Sequence, residues 1–435
     1  MTDHSVFASI KQILPPVSKI LMRNVLRCVL IILVLALTPA CPTQVLAEES
    51  PFFVPAGLEG AVEFWKQIFT RHSFTEVVLF DPVEPDTIYG VLRAPDNEAG
   101  RALIDRESSR IVADYDLAED GSRIRSQRGA KEHFLEGLKI SGRYIEEMKK
   151  IFRGEALPAE LVYLPLVESS FNIRARSGVG AVGMWQFMPD TGKKFMRIDA
   201  KIDERRDPFA STKAAARLLK ENYRLLGNWP LAITAYNHGT DGIFRGIKAV
   251  ESDNLVDLIR RYQSPTFGFA SKNFYAEFLA VVAIATNSDT YFPFLRVHRP
   301  VTLREVTMKR QAPLHAVLKP AAISQSDFFD WNPALDPAAK FIPTGYRIKL
   351  PPEKVDTFVA AERRWKAAPQ SQHTTVTATV RQAKTAAGVR SAKAKPASGV
   401  TVSTSQRIAV ARKSTLPAKV TAASAKRVPV KVATQ

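Results

Sequence analysis

With 435 residues, 46% of them hydrophobic, the chain is long enough for two or three packed units with real cores. The formal charge of +18 is concentrated at one end: twelve Lys and Arg and no Asp or Glu lie between Ala367 and Gln435, which leaves only +6 for the other 366 residues. The basic balance therefore describes a tail and not a nucleic-acid-binding face, and the two cysteines, Cys28 and Cys41, offer no disulfide or thiolate metal site in a processed chain.

The amino terminus reads as an export signal over residues 1–47. Arg23 and Arg27 precede a ten-residue apolar run, Cys28 to Leu37, too short for a membrane span but suited to a signal-peptide core. The layout is most regular if the chain starts at Met22. Val45-Leu46-Ala47 before Glu48 is a good small-residue cleavage site. It is favoured over lipoprotein processing at Cys41, where Thr38 and Pro39 fit poorly.

Residues 48–129 form a mixed accessory region. It has a helical patch from Ala61 to Phe69 and a strand-like run, Glu76 to Phe80, stopped by Asp81-Pro82. Residues 130–300 are predicted to be mostly helical. Phe134, Leu138, Ile145, Met148 and Phe152 recur at helical spacing, and a second helix is predicted from Pro158 through Val167. A third helix is capped by Ser211 or Thr212, buries Ala215, Leu218, Leu219, Tyr223 and Leu226, and stops at Gly227. Leu231–Tyr236 and Phe274–Thr286 read as further buried helices. Residues 301–365 carry short apolar groups between prolines and finish in a turn, Pro343-Thr344-Gly345, and an alternating strand up to Leu350. Residues 366–435 lack aromatics and are expected to be disordered.

Three features carry chemistry. Glu168, followed by Ser169 and Ser170, ends an apolar helix; packing against apolar side chains disfavours its charge and suits it to hold and donate a proton. A loop with Gly178, Gly180 and Gly183 leads into Met184-Trp185-Gln186-Phe187-Met188, where backbone can approach a ligand closely. There Trp185 and Phe187 could face sugar rings and Gln186 could bond hydroxyl or acetamido groups. Tyr236 and Asn237 close a third, buried segment before His238 and Gly239. Taken singly, each has a bland alternative: a solvated carboxylate, a buried aromatic turn, a helix cap. Asp190 and Asp207 read as a turn residue and a helix-start residue, and His238 lacks partners at metal spacing, so neither metal nor cofactor is expected.

Together, Glu168-Ser169, Gly183-x-x-Gln186 with Met188-Pro189 and Thr191-Gly192, and Ala235-Tyr236-Asn237 resemble, in order and spacing, the signatures of the lysozyme-like lytic transglycosylases of glycoside hydrolase family 23. The stretches Asp203 to Pro208, Gly227 to Leu231 and Asn273 to Phe278 are similar to the membrane-bound lytic murein transglycosylase D group. Trp185 fits that subgroup, although many family members have Met there. The resemblance implies a mainly α chain: a lysozyme-like catalytic domain, an N-terminal accessory region, a small α+β, LysM-like C-terminal module and a disordered basic tail.

It also implies cleavage of the β-1,4 bond between N-acetylmuramic acid and N-acetylglucosamine, with Glu168 as acid and then base and a 1,6-anhydromuramic end as product. Ser169, Gln186, Met188, Tyr236 and Asn237 would bind or orient substrate. No convincing second carboxylate stands out in the sequence. The expected partner is the glycan strand of peptidoglycan in the periplasm of a Gram-negative bacterium, with outer-membrane association as a further option. The competing readings are a hydrolytic muramidase of goose-lysozyme type, which would need Asp190 or Asp207 to activate water, and a non-catalytic peptidoglycan-binding protein.

Overall fold

The computed structural model describes residues 50–117 and 122–367 and the pair Val430–Lys431, which lies antiparallel to Thr87 and Ile88. The expected export signal and the rest of the expected disordered tail lie outside these residues. The described chain is mainly helical.

Helix α1 (Glu59–Thr70) forms where the sequence has its first helical patch, and it turns Phe64, Trp65, Ile68 and Phe69 inward. Three strands follow: β1 (Glu76–Phe80), β2 (Thr87–Arg93) and β3 (Arg125–Arg128). β1 lies in the middle, antiparallel to both, with Val78 opposite Val91 on one side and Gln127 on the other. Asp81 ends β1 by accepting the amide of Val83 at 2.8 Å. Helix α2 (Glu98–Asp114) contributes Ile111 to a small core with Val77, Leu79 and Ala94.

The helical stretch expected from residue 130 to Phe152 is two helices, α3 (Lys131–Ser141) and α4 (Ile145–Gly154). The chain turns between them because the amides of Arg143 and Tyr144 bond back to Ile140 and Ser141, three residues away instead of four. The helix predicted from Pro158 likewise divides. Ala159–Tyr163 is a 3-10 turn, and α5 (Leu164–Ser169) starts afresh because Pro165 has no amide hydrogen to continue the ladder.

After the short α6 (Pro189–Lys193) comes α7 (Pro208–Leu226). Its N-cap is Asp207, which accepts the amides of Phe209 and Ala210, and not Ser211 or Thr212; those two point inward and bond back to the carbonyls of Asp207 and Pro208. Gly227, at φ +77°, ends α7 as expected. Tyr223 is not in the buried stripe. It lies exposed and stacks on Trp229 with ring centroids 4.4 Å apart.

Helices α8 (Trp229–His238), α9 (Thr240–Val250), α10 (Leu255–Arg261), α11 (Phe269–Thr286) and α12 (Ser288–Tyr291) complete the main helical body. α11 is apolar on nearly all sides, the pattern of a helix buried all round, and packs against α1, α8 and α5. One hydrophobic core runs from Leu58 to Phe292 and takes in Phe64, Phe134, Phe152, Trp185, Tyr236 and Phe278.

Beyond residue 300 a second core forms. β4 (Arg304–Thr307) pairs antiparallel with β7 (Arg347–Leu350), Val306 opposite Ile348, and β5 (Ala312–Pro313) pairs with β6 (Phe341–Ile342). Between and after these strands lie α13 (Leu314–Leu318), α14 (Gln325–Trp331) and α15 (Pro352–Ala367). Phe328, Leu335, Ile348, Leu350 and Phe358 fill this core, and Ile202 of the preceding domain is inserted into it. β7 does not alternate as predicted: Ile348, Lys349 and Leu350 are all buried, because Lys349 has a partner inside. Among the described residues no helix is long and apolar enough to cross a membrane.

Candidate active site

Glu168 sits one residue from the end of α5, half-buried, with Leu164, Pro165 and Leu166 of the same helix in the core. The helix stops abruptly. Ser170 and Phe171 both take left-handed conformations, φ +51° and +59°, and their amides are gathered onto the Pro165 carbonyl. Two consecutive non-glycine residues in that region cost roughly 1–2 kcal/mol each, a cost the surrounding core must offset. The turn fits because α3 passes it at a glycine. A Cβ on Gly137 would stand only 3.0 Å from Ser170 Cα.

The loop from Asn172 to Met188 wraps around this helix end. Gly183 is required twice over: its φ is +81°, and a Cβ there would fall 1.9 Å from the carbonyl oxygen of Arg205. The turn it makes carries Trp185 inward, fully buried, stacked on Phe152 and donating its indole N–H to Thr212 Oγ1 at 2.9 Å. Phe187 is also buried, at 2% exposure. Neither ring is therefore a sugar platform; both are core, and a bulky aromatic at Trp185 belongs to the packing. Gln186, at φ +46°, remains partly exposed and donates Nε2 to the Gly183 carbonyl at 2.7 Å. Met188 precedes α6 and is partly buried.

Two side chains from distant segments hold successive carbonyls of this loop. Ser169 Oγ donates to the Met184 carbonyl at 2.9 Å, and Tyr236 Oη donates to the Trp185 carbonyl at 2.8 Å. The three sequence features thus meet in one place, with Gln186 the next residue along. Asn237 is tied to α11, where Ser271 Oγ donates to its Oδ1 at 2.9 Å. Ser271 also lies 3.3 Å from His238 Nδ1, and the His238 ring meets Phe267 edge-on. Asp190 is exposed in the first turn of α6.

Two residues that sequence reasoning passed over belong to the site. Arg205 is 7% exposed; its Nε and Nη2 grip Asp203 at 2.9 and 2.8 Å, while Nη1 donates to the carbonyls of Gly180 and Phe187 at 2.9 and 3.1 Å. Glu277 of α11 is the other. Burial, and secondarily the charge of Glu168, push its carboxyl up to about 8, so at neutral pH it is largely protonated. The sequence held a signal for it, since Glu277 is the sole charged residue between Phe274 and Thr286. A second carboxyl therefore stands in electrostatic reach of Glu168.

Comparison with known proteins bears on the same segment. Residues 145–254 match the family described as Transglycosylase SLT domain. The chain is 34% identical over 137 residues, 31% of its length, to the membrane-bound lytic murein transglycosylase D of Escherichia coli strain K12. It is also 40% identical over 81 residues, 19% of its length, to the transglycosylase of Enterobacteria phage PRD1. These matches span only 30% and 29% of those two proteins. The 70 kDa soluble lytic transglycosylase of Escherichia coli aligns over 36% of this chain and 26% of its own, with 22% identity and a TM-score of 0.29. The stretch from residue 145 to 254, which carries Glu168, Gln186 and Tyr236, is thus the part of the chain that matches the family described as Transglycosylase SLT domain.

Proposed function

We propose that the protein is a peptidoglycan lytic transglycosylase with Glu168 as its acid and base. The observation that carries this reading is the convergence on one loop of Ser169, next to Glu168, and of Tyr236: both bond neighbouring carbonyls of the segment presenting Gln186. The SLT match and the similarity to lytic murein transglycosylase D support it at family level.

In this mechanism Glu168 gives its proton to the glycosidic oxygen between N-acetylmuramic acid and N-acetylglucosamine as the bond to C1 breaks. The carboxylate so formed takes the proton of the muramic 6-hydroxyl, whose oxygen closes on C1 to leave a 1,6-anhydro ring. No water is consumed, and the internal hydroxyl replaces it at high effective concentration. Ser169 and Tyr236 fix the loop, Gln186 contacts sugar near the cleaved bond, Met188 lines the pocket and Asn237 holds the muramic residue. A lysozyme-like arrangement of the helices and a LysM-like character for residues 301–365 belong to the same reading. So does an exported, periplasmic location, where the strand is available.

Hydrolysis through Asp207 is disfavoured by its state. It is 3% exposed, caps α7 and pairs with Lys349, so it cannot activate water. The test is mass spectrometry of products released from purified peptidoglycan, with Glu168→Gln as control. Products ending in 1,6-anhydromuramic acid, lost in the variant, are expected. Products heavier by one water would make the enzyme a muramidase, and no products from the wild type would leave a binding protein.

A further inference from the structure

The segment from Lys201 to Asp207 has two faces. One is bound to the loop of the SLT domain. Arg205 holds both ends of the turn from Gly180 to Phe187, and its own carbonyl lies against Gly183 where only a glycine fits. The other face is bound to residues 301–367. Ile202 sits in their core and bridges to Leu335, the Asp203 amide donates to the Ala334 carbonyl at 2.7 Å, and the Asp336 amide donates to the Lys201 carbonyl at 3.0 Å. At the segment's end Asp207 forms a buried ion pair with Lys349 of β7. Lys349 is itself locked, with its amide donating to Asn332 Oδ1 at 2.8 Å and its carbonyl accepting Asn332 Nδ2 at 2.9 Å.

An appendage that served only to lengthen the protein would need no such junction. Surface joints between modules are commonly wet and polar; this one buries an isoleucine and an ion pair and ends on the residues that fix the loop. A buried pair of this kind is a poor source of net stability but a strong determinant of one geometry, because neither charge tolerates another partner in a dry site. The loop's far end is anchored in the core by Trp185 and Phe187, by the bonds from Ser169 and Tyr236 and by the Trp185 bond to Thr212. Its start, with Gly178 and Gly180, is exposed or half-buried, and Arg205 Nη1 joins it to that end through the carbonyls of Gly180 and Phe187.

We propose that residues 301–367 are a working part of the catalytic unit, fixing the Gln186 loop through the Lys201–Asp207 segment, with Arg205, Asp207 and Lys349 as positioning residues. The role in turnover rests on the transglycosylase reading; the mechanical link to the loop does not. Rates then depend on this module even if it binds no glycan.

The experiment uses the full chain and two readouts: turnover on soluble, uncrosslinked peptidoglycan strands, and amide hydrogen exchange of the 177–188 segment. Lys349→Met is the milder break, since it keeps the stem's volume and leaves Asp207 stabilised by the amides of Phe209 and Ala210. The pair Asp207→Asn with Lys349→Met removes both charges if the single variant folds poorly, and Arg205→Lys keeps the charge but loses the fork. In each, kcat should fall about tenfold with KM within about twofold, and the 177–188 amides should exchange about tenfold faster. These correspond to about 1.4 kcal/mol. Glu147→Gln, which removes an exposed ion pair with Lys150 on α4, should change neither readout. A lower melting temperature with unchanged kcat and unchanged exchange would overturn the proposal, reducing the module to a stabiliser. If the wild type released no anhydro products, the functional reading would fall while the exchange measurement still decided the link.

Discussion

Glu277→Gln gives the most direct test of the electrostatics around Glu168. In the unfolded chain Glu277 titrates at the ordinary glutamate value of 4.5, whereas in the folded protein it holds its proton up to about 8. Between these values the native state binds a proton that the unfolded state has released, so wild-type stability must fall as pH rises through this window. It is fully present below pH 4.5 and lost above pH 8. Each pH unit is worth about 1.4 kcal/mol, so the full window sets a ceiling of about 5 kcal/mol. Relaxation and water penetration lower this to about 2–4 kcal/mol, since the residue as a whole is partly exposed.

Glutamine has the same shape and is neutral in both states. The variant should match the wild type near pH 4.5 and exceed its stability by that amount at pH 9, read as urea unfolding midpoints at several pH values. A second arm probes the partner. Because Glu168 is the smaller of the two causes, Glu168→Gln should narrow the wild-type pH dependence without abolishing it. A Glu277→Gln advantage that is the same at pH 5 and pH 9, or a variant less stable at pH 9, would refute the reasoning.

Two further outcomes follow from the loop. Gly183→Ala places a side chain at φ +81° against the Arg205 carbonyl, so it should cost at least about 2 kcal/mol in thermal unfolding and abolish product release. Tyr236→Phe removes the hydroxyl that holds the Trp185 carbonyl; stability should drop by about 1 kcal/mol while turnover drops tenfold or more, measured on the same peptidoglycan. Equal, small losses in both would show that Tyr236 only packs.

What the sequence disclosed about this protein is what local chemistry encodes. Helix α7 was legible because Ala215, Leu219 and Leu226 recur at helical spacing and Gly227 closes it, and α11 because its apolar run is too long for a strand. Errors arose where a second segment decided the outcome. Ser211 and Thr212 are good caps by type, yet Asp207 took that place and they turned inward to bond the first turn's carbonyls. Trp185 and Phe187 have the right faces for sugar, but the turn at Gly183 directs both into the core.

Glu168 and its companions could be singled out because a carboxyl, a hydroxyl and a phenol have chemistry that residue type already narrows. Arg205 and Lys349 gain their meaning only from groups far along the chain: two carbonyls of the glycine loop for one, and a carboxylate 142 residues away for the other. An arginine in a charged run and a lysine in a short strand look like solvated surface until folding removes the solvent. Once dry, each must be matched by oxygen atoms supplied from elsewhere, and that demand ties the far module to the loop beside Glu168. For the same reason the domain junction, more than the motifs themselves, is where the proposed activity should differ from that of relatives matching residues 145–254.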